Sequence, residues 1–222
     1  MAGPIIRVAT MGGGCRRMTK KTRFRNASWL VAWEEGRHVY RRNVDLVIEG
    51  DAIVFIGRDY DGPYDHEVDA SGRMILPGFV NIHAHPSSEP LRKGITDEVR
   101  SPSFWHSSLY EFLPVLRNDA EGMIASLDVA LAELLMSGVT TVVDLSFPYE
   151  GWLDTLAGSG IRGIAAPMFR DGSWHTPNGH AIEYTWDAAT GEKSFEDACG
   201  VIDRANQHPS GRLAGMVCPA QV

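Results

Sequence analysis

The residues best suited to chemistry are two histidines, His83 and His85, at the end of Leu76-Pro77-Gly78-Phe79-Val80-Asn81-Ile82-His83-Ala84-His85. Residues 79–85 form a short, mostly apolar run after a Pro-Gly break, the pattern of a buried strand. Side chains alternate across a strand, so Asn81, His83 and His85 share one face, while Val80, Ile82 and Ala84 suit packing under helices. Two imidazoles two residues apart on one face can hold a single divalent ion, with Zn–N distances of about 2.0–2.1 Å. A bare His-x-His also occurs as a pair of hydrogen-bonded structural histidines. The Leu-Pro-Gly-Phe-Val-Asn lead-in favours the metal.

Other chemically able side chains gather at the ends of later elements. Glu89 follows the histidines closely and is either a substrate contact or a solvated loop acid. Trp105 and His106 lie in a long polar and aromatic stretch that runs to about residue 117. Asp144 ends a β-branched run, where it either supports the site or touches substrate, or merely caps the next loop. Residues 170–193 read as one long loop carrying Trp174, His175, His180, Tyr184 and Trp186. Loops of that length in a compact domain usually shape binding pockets.

The elements that must position these groups follow two grammars. Residues 24–77 read as short strands and turns, among them 44–48 and 52–57 around Glu49-Gly50-Asp51, then 68–75 as one more strand pair. These form a small β-sandwich segment. From residue 78 strands alternate with helices. A helix capped by Asn118 or Asp119 places Ile124, Leu127, Leu131, Leu134 and Leu135 on one face and ends at a left-handed Gly138. Strands are expected at 139–144, 161–169 and 213–218, with a short helix around Trp152 and Leu156. A capping box at Ser194 opens another helix through Val201 and Ala205. Such alternation means parallel strands joined by helical crossovers. Near-continuous apolar strands mean a sheet buried on both faces, either doubly wound or a barrel.

The motif decides between those two. The β-rich leader, the stretch from Leu76 to His85, and Ala132-Glu133-Leu134-Leu135-Met136-Ser137-Gly138-Val139-Thr140-Thr141-Val142-Val143-Asp144 together resemble the amidohydrolase superfamily. The likeness is greatest to its cytosine/guanine deaminase and triazine hydrolase-like branch, and it extends over about residues 40–222. The resemblance implies an α/β fold: the N-terminal portion, about strands 1–4, of a (β/α)8 TIM barrel preceded by the β-sandwich segment. It implies one divalent metal, Zn2+ or else Fe2+, held in part by His83 and His85, that activates water. The family's third ligand histidine and acid/base glutamate come from strand five, a further histidine from strand six and an aspartate from strand eight. None of these falls within 222 residues, so the catalytic groups are expected downstream of Val222, in a C-terminal half supplied as a separate chain or as further sequence. Where relatives carry a substrate-touching histidine at the end of strand four, this chain has Ala220. Residues 212–218 hold no lysine, which argues against a lysine-bridged metal pair.

The expected domains are therefore a flexible basic leader (1–23), the β-sandwich segment (24–77) and the partial barrel (78–222). The expected function is metal-dependent hydrolysis of a non-peptide C–N bond in a small cyclic or aryl-bearing molecule, by deamination or amide- or urea-type cleavage; dehalogenation uses the same kind of centre. The alternative is a non-catalytic truncated or split subunit acting as scaffold or regulator. A nucleotide-binding oxidoreductase or transferase is disfavoured because Gly12-Gly13-Gly14 follows no strand.

Composition agrees. The chain is 44% hydrophobic and 22% charged with a net charge of −7, ordinary for a globular protein. Seven positive residues and no acid occupy residues 1–25, leaving −14 on the rest. An acidic body argues against nucleic-acid binding, and no aromatic platform accompanies the basic leader. No apolar run approaches the ~20 residues of a membrane span, and the start is a poor secretory signal. Three scattered cysteines fit a reducing compartment, so the expectation is cytoplasmic. A homo-oligomer is expected of the complete protein.

Overall fold

The computed structural model describes residues 20–93, 118–175 and 183–221. Residues 1–19, with most of the expected leader, and Trp105, His106 and His180 lie outside them. The chain divides into two compact units, residues 1–77 and 78–222.

The first unit is all β: β1 (Lys21–Ala27), β2 (Trp29–Glu34), β3 (Arg37–Arg41), β4 (Val44–Glu49), β5 (Ala52–Gly57), β6 (His66–Asp69) and β7 (Met74–Ile75). Lys21, Thr22 and Arg23 belong to β1, which therefore starts ahead of residue 24. β2 and β3 pair antiparallel through a two-residue turn, Glu35 and Gly36, with φ of 49° and 78°. Two positive φ values in succession match the right-handed twist of a tight hairpin. One sheet has the order β5-β4-β1-β6 and the other β3-β2-β7. The expected strand pair at 68–75 does not form. β6 instead pairs parallel with β1 and β7 parallel with β2, with a turn at Ala70–Arg73 carrying the chain from one sheet to the other. Leu30, Ala32, Val39 and Ile75 from the smaller sheet pack with Phe24, Val44, Leu46, Ile48 and Ile56 from the larger.

A buried carboxylate ties down one end of this unit. Asp45 accepts hydrogen bonds from Arg23 Nε (3.1 Å) and Nη2 (2.6 Å) and from the amides of Asn26 (2.8 Å) and Tyr60 (3.1 Å). Burial by itself would raise its pKa, but these donors outweigh it and hold the carboxyl below its ordinary value.

The second unit contains β8 (Phe79–Ala84), α1 (Glu89–Arg92), α2 (Ala120–Met136), β9 (Val139–Ser146), α3 (Trp152–Gly158), β10 (Arg162–Arg170), β11 (Gly172–His175), β12 (Glu183–Trp186), α4 (Ala188–Asn206), β13 (Leu213–Gly215) and β14 (Cys218–Gln221). β8, β9 and β10 run parallel in that order. β13 and β14, successive pieces of the last strand, both pair parallel with β10. The expected strand at 213–218 is thus broken at Met216 and Val217. Asp119 caps α2 by accepting the Gly122 amide at 2.7 Å, and Gly138, at φ 86°, turns the chain into β9. Leu127 and Leu131 are fully buried against Val142, Trp152, Leu156 and Ala165, with Leu134 beside them, whereas Leu135 stays exposed.

Two expectations fail here for identifiable reasons. α4 begins at Ala188, not near Ser194, because the Asp187 carboxylate accepts the Ala189 and Thr190 amides and caps the helix earlier. Ser194 lies inside the helix and bonds back to the Gly191 carbonyl. Residues 170–193 are not one loop: β11 and β12 form an antiparallel ladder pairing Trp174 with Tyr184 and His175 with Glu183. Alternating aromatic residues favour such short ladders.

Candidate metal centre

β8 presents the two histidines at its C-terminal end. Ala84 is buried in the core beneath α2, so the flanking His83 and His85 project from the opposite face of the sheet. Their ring centroids lie 5.2 Å apart, with planes at 79°. His83 is exposed and His85 half-buried.

The strand carrying them is not regular. Asn81 stands opposite Val142 and Ala84 opposite Asp144, so Ile82 and His83 together face the single Val143. This extra residue is a bulge, a device that re-aims a side chain. The Asn81 side-chain oxygen accepts the His83 amide at 2.9 Å. Asn81 therefore braces the bulge instead of joining the two imidazoles as a third polar group on their face. The expected helix-covered set is also only partly covered: Ala84 is buried, while Val80 and Ile82 are exposed.

His85 Nδ1 lies 2.7 Å from the Leu145 carbonyl oxygen in β9. A carbonyl can only accept, so Nδ1 carries the proton and the lone pair of the neutral ring sits on Nε2. Metal-binding histidines are commonly held in this way, with the far nitrogen left to bind. The donor type, shared face and fixed tautomer fit a divalent cation at His83 and His85. Among the described residues no cluster of three or more His, Cys, Asp or Glu side chains is grouped for a metal.

Asp144 takes no place on the histidine face. It is fully buried on the helix side, where Trp152 Nε1 donates to it at 2.7 Å and Ser146 Oγ at 2.5 Å. Desolvation raises its pKa to about 6, against the opposing effect of the two donors. Ser146 Oγ also meets Ser87 Oγ at 2.7 Å, and Asn118 Nδ2 donates to the Ser87 carbonyl at 2.7 Å. Sequence reading missed Ser87, Ser146 and Trp152. Ser87 and Ser146 each stand two residues beyond a residue it did single out, but only the pairing of β8 with β9 brings them together.

The remaining candidates scatter. Glu89 is exposed at the start of α1, and its amide closes a turn onto the His85 carbonyl at 2.9 Å. Trp174 and His175 sit on β11, with His175 3.9 Å from Glu183. Arg170, at the end of β10, lies over the Phe147 ring at 4.8 Å. The described residues contain no helix long and apolar enough to cross a membrane.

A parallel α/β sheet that carries paired histidines at the C-terminal end of a strand has them where barrel enzymes keep their sites. No protein-family profile matches the chain. Over 131 residues it is 32% identical to the 5-methylthioadenosine/S-adenosylhomocysteine deaminase of Symbiobacterium thermophilum, covering 58% of this chain and 29% of that one. Over 120 residues it is 34% identical to the 5'-deoxyadenosine deaminase of Methanobrevibacter smithii, covering 54% and 27%. In fold it resembles the zinc-complexed atrazine chlorohydrolase of Arthrobacter aurescens TC1 (TM-score 0.67, 19% identity, 90% of this chain and 47% of that one). It also resembles the guanine deaminase of C. acetobutylicum (TM-score 0.56, 15% identity, 92% and 46%). The resemblance to the amidohydrolase superfamily therefore holds in both sequence and fold. The matched region amounts to less than a third of the curated relatives and about half of the solved chains.

Proposed function

We propose that this chain forms part of a metal-dependent hydrolase that deaminates a small adenosine-like molecule. It would be built on about the first four strands of a (β/α)8 barrel. The observation that carries the reading is the His85 Nδ1 to Leu145 carbonyl bond, which leaves Nε2 free beside His83 on one face of the sheet. The deaminase relatives support the substrate class, since both are named for adenosine derivatives. The zinc in the structural neighbour supports zinc as the ion.

In this reading His83 and His85 hold the cation, Asn81 fixes the bulge that aims His83, and Leu145 fixes the His85 tautomer. Zinc, when bound, supplies Lewis acidity that brings the pKa of water toward ~7. Further metal ligands and the proton-transferring acid/base come from residues beyond Val222, in the same or a second polypeptide. Ala220 in place of a hydrogen-bonding side chain in β14 leaves ring recognition to other residues. The hairpin of β11 and β12, with Trp174, contributes to the substrate pocket, as would Trp105, His106 and His180. The complete protein is a homo-oligomer of the cytoplasm.

The test is ammonia release from 5'-deoxyadenosine and 5'-methylthioadenosine by the complete enzyme, before and after removal and restoration of zinc. Zinc-dependent release supports the proposal. Stoichiometric zinc binding without turnover of any aminopurine nucleoside would favour a scaffold or regulatory subunit, and lack of zinc binding would overturn the metal assignment.

A further inference from the structure

The assignment of His83 and His85 leaves a fully buried acid of the second unit without a task. Asp144 is fully enclosed, and among the described residues no cation pairs with it; its carboxylate oxygens accept from Ser146 Oγ and Trp152 Nε1. Burying an ionisable group with only neutral donors is costly, even though it satisfies the Trp152 and Ser146 donors.

The direction of the hydrogen bonds shows what the carboxylate does. An ionised carboxylate only accepts, so Ser146 must donate to Asp144. Having spent its proton there, Ser146 can only accept from Ser87, 2.7 Å away. The chain thus runs one way, from Ser87 to Ser146 to Asp144, with Trp152 donating from the other side. Ser87 lies two residues after His85, and Asp144 and Ser146 flank Leu145, whose carbonyl holds His85 Nδ1. The two strand ends are therefore joined twice, once by the His85–Leu145 bond and once by Ser87–Ser146. Between these bonds the orientation of the Leu145 carbonyl has little freedom.

We propose that Asp144 is a positioning residue for His85. Through Ser146 and Ser87 it locks the C-terminal ends of β8 and β9 together, fixing the Leu145 carbonyl against His85 Nδ1 and so presenting Nε2 to the cation. This inference rests on the metal reading above for its purpose, but its geometric content concerns the His85 ring alone. Asp144→Asn keeps the shape but turns its amide nitrogen either to Ser146, which reverses the chain, or to Trp152 Nε1, which sets two donors against each other. Ser146→Ala removes the middle link with little change in volume.

The experiment uses the complete enzyme and two readouts, zinc affinity by chelator competition and the His85 tautomer from ring 15N–1H correlation in the metal-free protein. In the parent protein His85 shows one tautomer with the proton on Nδ1. In Asp144→Asn and in Ser146→Ala the ring becomes a mixture of tautomers, and zinc binds about tenfold or more weakly. If Asp144→Asn does not fold, Ser146→Ala and Ser87→Ala carry the same test. Folded variants that keep a single Nδ1–H tautomer and parental zinc affinity overturn the proposal. Should His83→Ala and His85→Ala themselves leave zinc affinity unchanged, the metal reading falls; the tautomer then decides by itself whether Asp144 positions His85.

Discussion

His85 Nδ1 lies 2.7 Å from the carbonyl oxygen of Leu145, a residue sixty positions further along the chain. That one bond ties the C-terminal end of β8 to that of β9 and decides which nitrogen of the ring remains available. It also explains why a local sequence motif needs a second strand before it becomes a site. The His-x-His spacing sets the face, while the neighbouring strand sets the tautomer.

Replacing His83 or His85 with alanine is expected to weaken zinc binding by more than the ~10–100-fold that follows loss of a supporting hydrogen bond. Folding should be little affected, because His83 is exposed and His85 only half-buried. Chelator competition measures the first and far-ultraviolet circular dichroism the second. Parental zinc affinity in both variants would rule out these residues as ligands.

Two buried aspartates should give opposite pH signatures. The Asp144 pKa is raised by burial to about 6, above an unfolded value near 3.9. Its favourable contribution is present below about pH 4 and lost as the pH rises through about 6, since the folded state holds the proton longer. Whatever its stability in acid, the difference between Asp144→Asn and the parent should therefore move in the variant's favour between pH 4 and 7, by about 3 kcal/mol at most. Asp45 is held below its ordinary value by Asn26, Arg23 and Tyr60, which overcome its desolvation. Its contribution is present above the usual carboxylate range and lost as the pH falls through and below it. Asp45→Ala leaves Arg23 its longer bond to Glu67 but removes the acceptor of the Asn26 and Tyr60 amides, and should cost about 1–3 kcal/mol at pH 7, less in acid. Denaturant unfolding across pH 3–8 reads both, and parallel pH profiles for the parent and both variants would contradict them.

The parts legible in the sequence were those whose cause is local. The His-x-His motif, the Asp119 cap, the left-handed Gly138 and the short helix at Trp152 each depend on a few neighbouring residues. What was hidden depends on partners far along the chain. Alternation places Asn81 with His83 and His85, and only the pairing with Val142 and Asp144 shows the bulge that makes Asn81 a brace. Asp144 looked like a strand end because Leu145 and Ser146, which continue the strand, lead into Phe147-Pro148. The β11–β12 hairpin was missed because each strand has four residues and seven separate them, too little periodicity to detect.

That hairpin should govern substrate choice more than the chemical step. The Trp186 ring packs so closely over Gly172 that a Cβ there would lie 2.5 Å from it, and it stacks on Tyr184 with centroids 5.6 Å apart. Trp174→Ala and Trp186→Ala are expected to raise KM several-fold while changing kcat less, the pattern of lost uniform binding. Steady-state kinetics on two nucleosides of different 5' substituent would check this. Equal loss of kcat and kcat/KM in both variants would place the hairpin in the transition state instead.

The last expectation concerns the free side of β8. In the sheet of the second unit β8 is the terminal strand, and among the described residues nothing pairs with its outer edge. Phe79, Val80 and Ile82 along it are 53%, 58% and 76% exposed. A long edge strand with apolar side chains is a template for association, and each Å² of that surface removed from water is worth about 25 cal/mol. Residues 1–222 expressed alone should therefore self-associate at micromolar concentration. Ile82→Lys should shift the population toward monomer, because a charge on an edge opposes strand pairing. Sedimentation velocity across a concentration series gives the distribution, and hydrogen exchange at the amides of residues 79–84 reports whether the edge is covered. A concentration-independent monomer with protected β8 amides would mean that this edge is already satisfied and that the partial-barrel reading is wrong.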